Sequence, residues 1–409
     1  VTPHPRPLYD VLIAGAGPAG SACAARLAER GLSVALVERS EPGRSRVCGG
    51  FLGPEFGGWT RAWGWSGELD RLGKAPVRQV QVSGSSPRLV RAALPETGGY
   101  AVDRGVFDRW AADLAVRRGA RLWTGTVVES AERDAPEAGG LWTARLRTVT
   151  NEADGSPRSA AGGADESAAQ VIRARHRVDA TGRRPAAAGK RQVFFACKAV
   201  YQGVTGLAGE VALHFIERGH VGLNPVSAGE TTLCLCADGR YLREAHGDLD
   251  GMLRRFEAEN PSLKRQLTAA RRIGPWQTCQ AEPDGAPVFY REGQFHIGDA
   301  LSMVNPVIGG GIPIAMQSGV LLADLLVSQT EQTAGVSILA AEAEAARAFE
   351  HAWRKAFSVK FSFGRWLGAA ERSSLASRAV MHTLGLAPAL LGPLVRMSRP
   401  VPSAAGTAR

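Results

Sequence analysis

The chain has 409 residues, enough for two or three domain-sized units around a large core. Hydrophobic residues make up 44% and charged residues 22%, a globular balance, and no uncharged apolar run reaches the roughly 18 residues of a membrane span. The formal net charge of +10 suits anionic ligands or surfaces, but no nucleic-acid module accompanies it, so nucleic acid is not an expected partner.

The first residues, "VTPHPRPLYDVLIAGAG", lead straight into a glycine motif, and no secretory leader is expected. Val11, Leu12 and Ile13 form a β-rich run suited to a buried parallel strand. Gly15, Gly17 and Gly20 follow as G-x-G-x-x-G, with Ala19 inside the motif. The first glycine permits a tight turn, the second lets backbone approach a pyrophosphate, and the third lets helix pack on strand. The alanine-rich helix predicted from Ser21 to near Gly31 turns its N–H groups and positive dipole toward the anion. A second strand, "LSVALVE", ends at Glu38, eighteen residues beyond Gly20, where an acid accepts from ribose hydroxyls. Arg39 comes next. Strand, glycines, helix, strand and acid in register identify a dinucleotide site.

The following stretch, "RSEPGRSRVCGG", is basic and glycine-rich, and Gly49 and Gly50 can bring backbone close to a flat ring. Cys48 before them could donate a weak S–H bond, act as an acid, or pack beside substrate. The tryptophans of "WTRAWGWSG" are accounted for by surface or cavity packing. In "YAVDRGVFDRWAADLA" Asp103 is predicted to cap a helix with Phe107, Trp110, Ala111 and Leu114 on one face. A strand over 121–134 contains Val128, and 141–149 alternates as another. Residues 151–169 are small and polar, a loop or insertion, and the strand after them ends at "VDATGRRP", with Asp179 and Gly182. A hairpin inserted in the nucleotide domain fits this order.

Residues 192–290 hold strand-like runs and a helix around 248–269, predicted as a mainly antiparallel sheet roofing a substrate cavity. Cys234 and Cys236 share one strand face and are expected to be buried thiols. The six cysteines have no zinc-like spacing, so no metal is expected, and a reducing cytoplasm is the expected compartment. "QFHIGDA" reads as a strand ending at Gly298 and Asp299, an acid able to bind a ribityl hydroxyl. Pro306 stiffens the loop, and Gly309, Gly310 and Gly311 open a helix from about Ile312 to Val327 whose N–H groups face an electron-rich ring edge. Residues 351–409 carry nine Lys/Arg and one acid, Glu371. They are expected as a helical cap with solvated arginines, interrupted by prolines and glycines. Peripheral membrane contact is the functional alternative.

The segments "GAGPAGS…VALVER", "VDATGRRP" and "FHIGDALSMVNPVIGGGIPIAMQSGVLLADLL" together resemble the FAD-binding flavoproteins that include aromatic hydroxylases of the p-hydroxybenzoate hydroxylase type and geranylgeranyl reductases. The resemblance spans positions 11 to 326. It implies an α/β fold in which a Rossmann-like FAD domain (1–75, 100–190, 291–345) is interleaved with a β-rich substrate domain (76–99, 191–290) and followed by a helical basic region (346–409). It implies FAD as cofactor, Arg104 near it, adenine against the strand backbone around Val128, and Cys48, Gly49 and Gly50 beside the isoalloxazine ring.

In the reductase branch an aromatic run, roughly Y-x-W-x-F-P, lines the prenyl pocket. Here "GHVGLNPVSAG" puts His220, Gly222 and Asn224 at the ring positions and keeps Pro225. Loss of three rings implies a larger, more polar cavity. The sequence also lacks the W-x-W-x-I-P run of flavin halogenases. The favoured expectation is a monooxygenase that hydroxylates an aromatic or polyketide-like molecule through a flavin C4a-hydroperoxide, with His220 or Asn224 orienting a phenol. Cys48 and the paired glycines favour the alternative, reduction of isoprenoid double bonds. A third reading is a non-catalytic FAD-fold binder of lipid or protein. NAD(P)H or another donor would supply electrons without a second dinucleotide motif, and the oligomeric state is left open.

Overall fold

A computed structural model describes residues 7–95, 98–135, 140–149, 170–183, 194–281, 285–332 and 337–397. The chain opens with β1 (Leu8–Ala14), α1 (Pro18–Glu29) and β2 (Val34–Val37). Val11, Leu12 and Ile13 are fully buried, and β1 pairs in parallel with β2 and with the strand Gln170–Asp179. Burial on both faces is why these strands are apolar without alternation. Gln294–His296 extends the sheet in parallel on one side and Arg121–Trp123 on the other. Trp142–Thr148 pairs antiparallel with Gln170–Asp179, the expected inserted hairpin, and Thr126–Arg133 pairs antiparallel with Trp142–Thr148 on its other edge. The loop expected at 151–169 lies outside the described residues.

A second sheet runs Arg271–Arg272, Phe194–Gln202, Glu230–Asp238, Gly219–Ser227, Glu210–Ile216, Gln79–Ser83, Leu89–Ala93, with Gln277–Ala281 beside Phe194–Gln202. Every pairing in it is antiparallel except Gln79–Ser83 with Glu210–Ile216. The fold is the α/β class expected, a Rossmann-like unit interleaved with a mainly antiparallel sheet. The single helix expected over 248–269 is two, Leu249–Glu259 and Pro261–Leu267. Pro261 forces Asn260 into extended backbone, and the Asn260 side chain then caps the second helix by accepting from the Ser262 and Leu263 N–H groups.

The helix expected over 312–327 runs further, Gly311–Gln332. Its Gly311–Thr330 stretch is long and apolar enough to cross a membrane, with mean hydropathy 1.5, yet it packs along α1. The C-terminal region also differs from expectation. Ile338–Arg372 is one continuous helix of 35 residues, so the expected boundary at 345/346 falls inside it. Its first proline comes later, at 388, and Gly364 and Gly368 do not break it because they serve as contact points against Ile308 and Asn305. Phe349, Trp353, Phe357 and Phe361 form its buried stripe. Trp59, Trp63 and Trp65 are core residues, neither on the surface nor lining the cavity. Trp59 meets Phe357 edge-on at 6.1 Å, Trp63 donates to Gln317, and Trp65 donates to Glu29, so the indoles clamp three helices together.

Lys360 of the long helix is 1% exposed and lies 3.3 Å from the buried Glu55 carboxylate on the helix Glu55–Ala62. Replacing Lys360 by Ala strips a buried carboxylate of its counter-ion, and should cost about 3–5 kcal/mol in denaturant unfolding. The double variant Lys360→Met, Glu55→Gln should recover most of that loss.

Candidate functional site

One cavity of about 1050 Å³ is lined from both sheets. At one end Gly15, Gly17, Ala19, Glu38, Arg39 and Val128 line it. Gly17 is the N-cap of α1 in extended backbone, without a side-chain cap, so the first N–H groups of the helix are left for a ligand. Gly15 has φ +102°, and a Cβ there would strike the Ala180 carbonyl. A Cβ at Gly20 would strike the Gly15 carbonyl, whereas Gly17 has nothing within 4 Å of that position. Gly20 therefore packs helix on turn and does not line the cavity. Gly298 is a second correction to the candidate ligands: it is buried against Ala19 and Ala315, and its N–H donates to Ser318 Oγ at 2.8 Å.

Glu38 ends β2 with its carboxylate fixed. Oε2 accepts from the Ala16 N–H at 2.9 Å, and Oε1 accepts from the Ser40 N–H and hydroxyl at 3.1 and 2.8 Å. This places a carboxylate beside the first glycine turn, the place of a ribose diol. Asp179 accepts from the Thr181 N–H and hydroxyl and lies 3.1 Å from His296 Nδ1. Burial alone would raise its pKa, but the His296 and Thr181 hydrogen bonds prevail and hold it at about 2. Gly182 lines the cavity just beyond.

At the middle of the cavity Cys48, Gly49 and Gly50 face Arg104 and Asp299. Asp103 caps the helix Arg104–Arg117 as expected, and Arg104 makes two 3.0 Å hydrogen bonds to Asp108. Burial disfavours the Arg104 cation, but Asp108 and Cys48 beside it more than compensate and raise its pKa. Asp299 is shifted the other way: burial raises its pKa, only partly opposed by Arg183 and Arg104. Gly50 has φ +71°, and a Cβ there would strike the Val102 carbonyl, so this turn admits only glycine. Its N–H points to Cys48 Sγ at 3.4 Å, and the Gly49 carbonyl accepts from Asn224 Nδ2 at 2.7 Å. Pro306, Gly309, Gly310, Gly311 and Ile312 line the cavity at the N-terminus of the helix Gly311–Gln332.

The second sheet supplies the remaining wall. His220, Gly222 and Asn224 alternate along Gly219–Ser227 and so share a face, opposite Cys236, Cys234 and Thr232 of the next strand. Cys234 and Cys236 are thus cavity thiols, one half-buried and one buried, and burial pushes both pKa values up. His220 Nδ1 lies 2.5 Å from Glu371 Oε1, at the end of the long C-terminal helix. Glu371 escaped sequence reasoning; its only signal was that it is the lone acid among 351–409. Arg183 was also missed, and it donates to Cys279 Sγ at 2.7 Å in the cavity wall. Among the described residues no cluster of His, Cys, Asp and Glu could hold a metal.

The residues present fit FAD. A glycine cradle with open helix N–H groups suits the pyrophosphate, Glu38 the ribose, Asp299 the ribityl chain, and the Gly49–Gly50 and Gly309–Gly311 backbones a flat ring. Such a site on this fold defines an FAD-dependent oxidoreductase. A family model described as FAD dependent oxidoreductase matches residues 10–75. The chain is 26% identical over 337 residues to the 1H-pyrrole-2-carbonyl-[peptidyl-carrier protein] brominase of Pseudoalteromonas luteoviolacea, covering 78% of this chain and 77% of that one. It is 25% identical to digeranylgeranylglycerophospholipid reductase 2 of Methanopyrus kandleri, over 87% and 84% of the two chains. The myxobacterial chondrochloren halogenase CndH superposes with TM-score 0.72 at 20% identity, covering 95% of this chain and 92% of that one. The chain is thus similar to FAD-dependent oxidoreductases over residues 10–75, and over most of its length to a brominase and to a digeranylgeranylglycerophospholipid reductase.

Glu38→Ala removes a charge-assisted acceptor, and should weaken FAD binding about ten- to a hundred-fold in fluorescence titration of the apoprotein. Asp179 gives a pH test. Its folded pKa of about 2 lies below the ordinary 3.8, so its contribution is complete above pH 3.8 and lost as pH falls toward 2. Acid titration of unfolding should show a loss on the order of 2 kcal/mol in that window, absent from Asp179→Asn.

Proposed function

We propose that the protein is an FAD-dependent monooxygenase that hydroxylates a hydrophobic aromatic or polyketide-like molecule, with NAD(P)H as electron donor. The observation that carries this reading is the pair of polar side chains, His220 held by Glu371 and Asn224 held by Gly49, on the cavity-lining face of Gly219–Ser227. An isoprenoid offers such groups nothing to bond, whereas a hydroxylated ring does. Bound FAD supplies two-electron reduction and the site of oxygen activation. Overall, substrate C–H, O2, NAD(P)H and a proton give substrate C–OH, water and NAD(P)+. The chain's own part is to orient the ring through His220 and Asn224 and to keep bulk water out with Val211, Leu213 and Leu223.

Double-bond reduction is the second reading, favoured by Cys48 between Arg104 and the glycine pair, where a thiol could deliver a proton. The two separate in one experiment. With 18O2, NAD(P)H and a panel of hydroxylated naphthalenes, one labelled oxygen should enter the product, and Cys48→Ala should change the rate less than about three-fold. Unlabelled product, with saturation of a geranylgeranyl chain that Cys48→Ala abolishes, would instead establish the reductase.

A further inference from the structure

The C-terminal helices present an outer face that neither the cavity nor the core uses. Along Ile338–Arg372 the buried stripe runs through Trp353, Phe357, Phe361, Gly364 and Gly368. Half a turn away stand Lys355, Val359, Ser362, Trp366 and Ala369, all exposed. Val359 is 68% exposed and Trp366 53%, the Trp366 ring stacking 5.8 Å from Phe363. After Ser373 the chain turns into the helix Ser374–Leu386. Its Ser377, Val380 and Met381 close a small void with Leu367, Ala370 and Glu371 of the long helix over Phe215 of the second sheet. Arg88, just before the strand Leu89–Ala93, fastens the far end by donating to the Gly385 carbonyl at 2.7 Å. The side turned away from that sheet carries Leu375, Ala379, His382 and Leu386, with Leu375 79% and Leu386 70% exposed.

The charge of this face is of one sign. From His351 to Arg396 the chain has a single acid, Glu371, and it is buried against His220. Arg354, Lys355, Arg365, Arg372, Arg378 and Arg396 are all exposed. Among the described residues only Arg354 of these has a carboxylate within 4 Å, that of Glu350. Single exposed apolar side chains are ordinary on a protein surface. Here four of them, at helical spacing, stand among cations with no exposed acid between. That is the pattern of an interfacial helix, whose Trp and Leu enter the acyl boundary while Arg and Lys snorkel to anionic head groups. Leu375–Leu386 and Pro388–Arg396 are together long and apolar enough to span a bilayer, but they are bent by 110°. Leu384 and Leu391 are moreover buried in the main core, so the pair lies on the protein and offers lipid one side only. A second copy of the chain is disfavoured as occupant, since a two-fold contact through this face sets cations against cations.

We propose that the exposed face of residues 351–396 docks on an anionic lipid bilayer, with Trp366, Leu375 and Leu386 entering the acyl boundary and Lys355, Arg365, Arg372 and Arg378 meeting the head groups. The docked helices are fastened to the second sheet through Glu371 and His220, so the bilayer carries that sheet with it. Nothing in this depends on which reaction the flavin site performs.

The test is co-sedimentation of the FAD-loaded protein with vesicles of phosphatidylcholine alone and of phosphatidylcholine containing about one third phosphatidylglycerol. The wild type should bind the anionic vesicles about ten-fold or more tightly than the neutral ones, and less tightly as salt is raised. Trp366→Ser combined with Leu375→Ser should weaken anionic binding about ten-fold, and Arg365→Glu combined with Arg378→Glu by at least as much. All four positions are exposed, and flavin absorbance and the thermal midpoint report whether each variant is folded. Vesicles with brominated acyl chains should quench a part of the tryptophan emission that is missing from Trp366→Phe. Equal binding to both vesicles, or none, would overturn the proposal and leave the face to a protein partner with an acidic surface. Anionic binding that the serine pair leaves unchanged would overturn it as well, because the contact would then lie elsewhere or involve charge alone.

Discussion

Two helices that begin at the cavity meet at a glycine that lets one backbone approach the other, and the site depends on that contact. A Cβ on Gly319 would strike the Ala19 carbonyl, and one on Gly298 would strike the Ala19 methyl. Backbone-to-backbone approach of α1 and Gly311–Gln332 brings two helix N-termini to one cavity, although their sequences are almost 300 residues apart. Each terminus leaves N–H groups unpaired and a positive dipole end, and together they favour a ligand that is anionic at its pyrophosphate and electron-rich at its ring. Separating the helices by one side chain would displace one terminus from the other's ligand.

The long C-terminal helix fixes the remaining geometry through charge as well as packing. Glu342 is fully buried and takes His176, Arg133 and Tyr290 of the first sheet region as partners. Burial would raise its pKa, but His176 and Arg133 outweigh that and lower it. Eighteen residues on, Lys360 meets Glu55, and eleven further on Glu371 meets His220 of the second sheet. Each of these buried charges is tolerable only opposite its own partner, so a shift of the helix by one residue would strand all three. The helix is thereby registered simultaneously against the cofactor unit, the tryptophan-rich segment and the substrate sheet. Its aromatic stripe supplies the cohesion and the charges supply the register.

Much of the cofactor unit was legible in the sequence because its signals are local. G-x-G-x-x-G, Glu38, the Asp103 cap and the Gly309–Gly311 helix start each depend on neighbours a few residues away. Reading went astray where the deciding partner is distant. Trp59, Trp63 and Trp65 were placed at surface or cavity because their partners, Phe357, Gln317 and Glu29, lie on other helices. Gly298 was counted as a ligand, yet its close neighbours are Ala19 and Ala315. Glu371 looked like one acid in a basic tail, and nothing within its own helix announces His220.

The sequence by itself determined that this chain makes a dinucleotide-binding β-α-β unit, where its second glycine helix starts, and which strands alternate, because turn chemistry and hydrophobic period are properties of short segments. Tertiary structure alone decided that Asn224 donates its amide N–H to Gly49, that Cys234 and Cys236 line the cavity, and that a carboxylate from far along the chain holds His220. Hydrogen bonding and burial depend on what stands opposite a group in space, and residues 150 positions apart carry no mark of each other until the sheets and helices close.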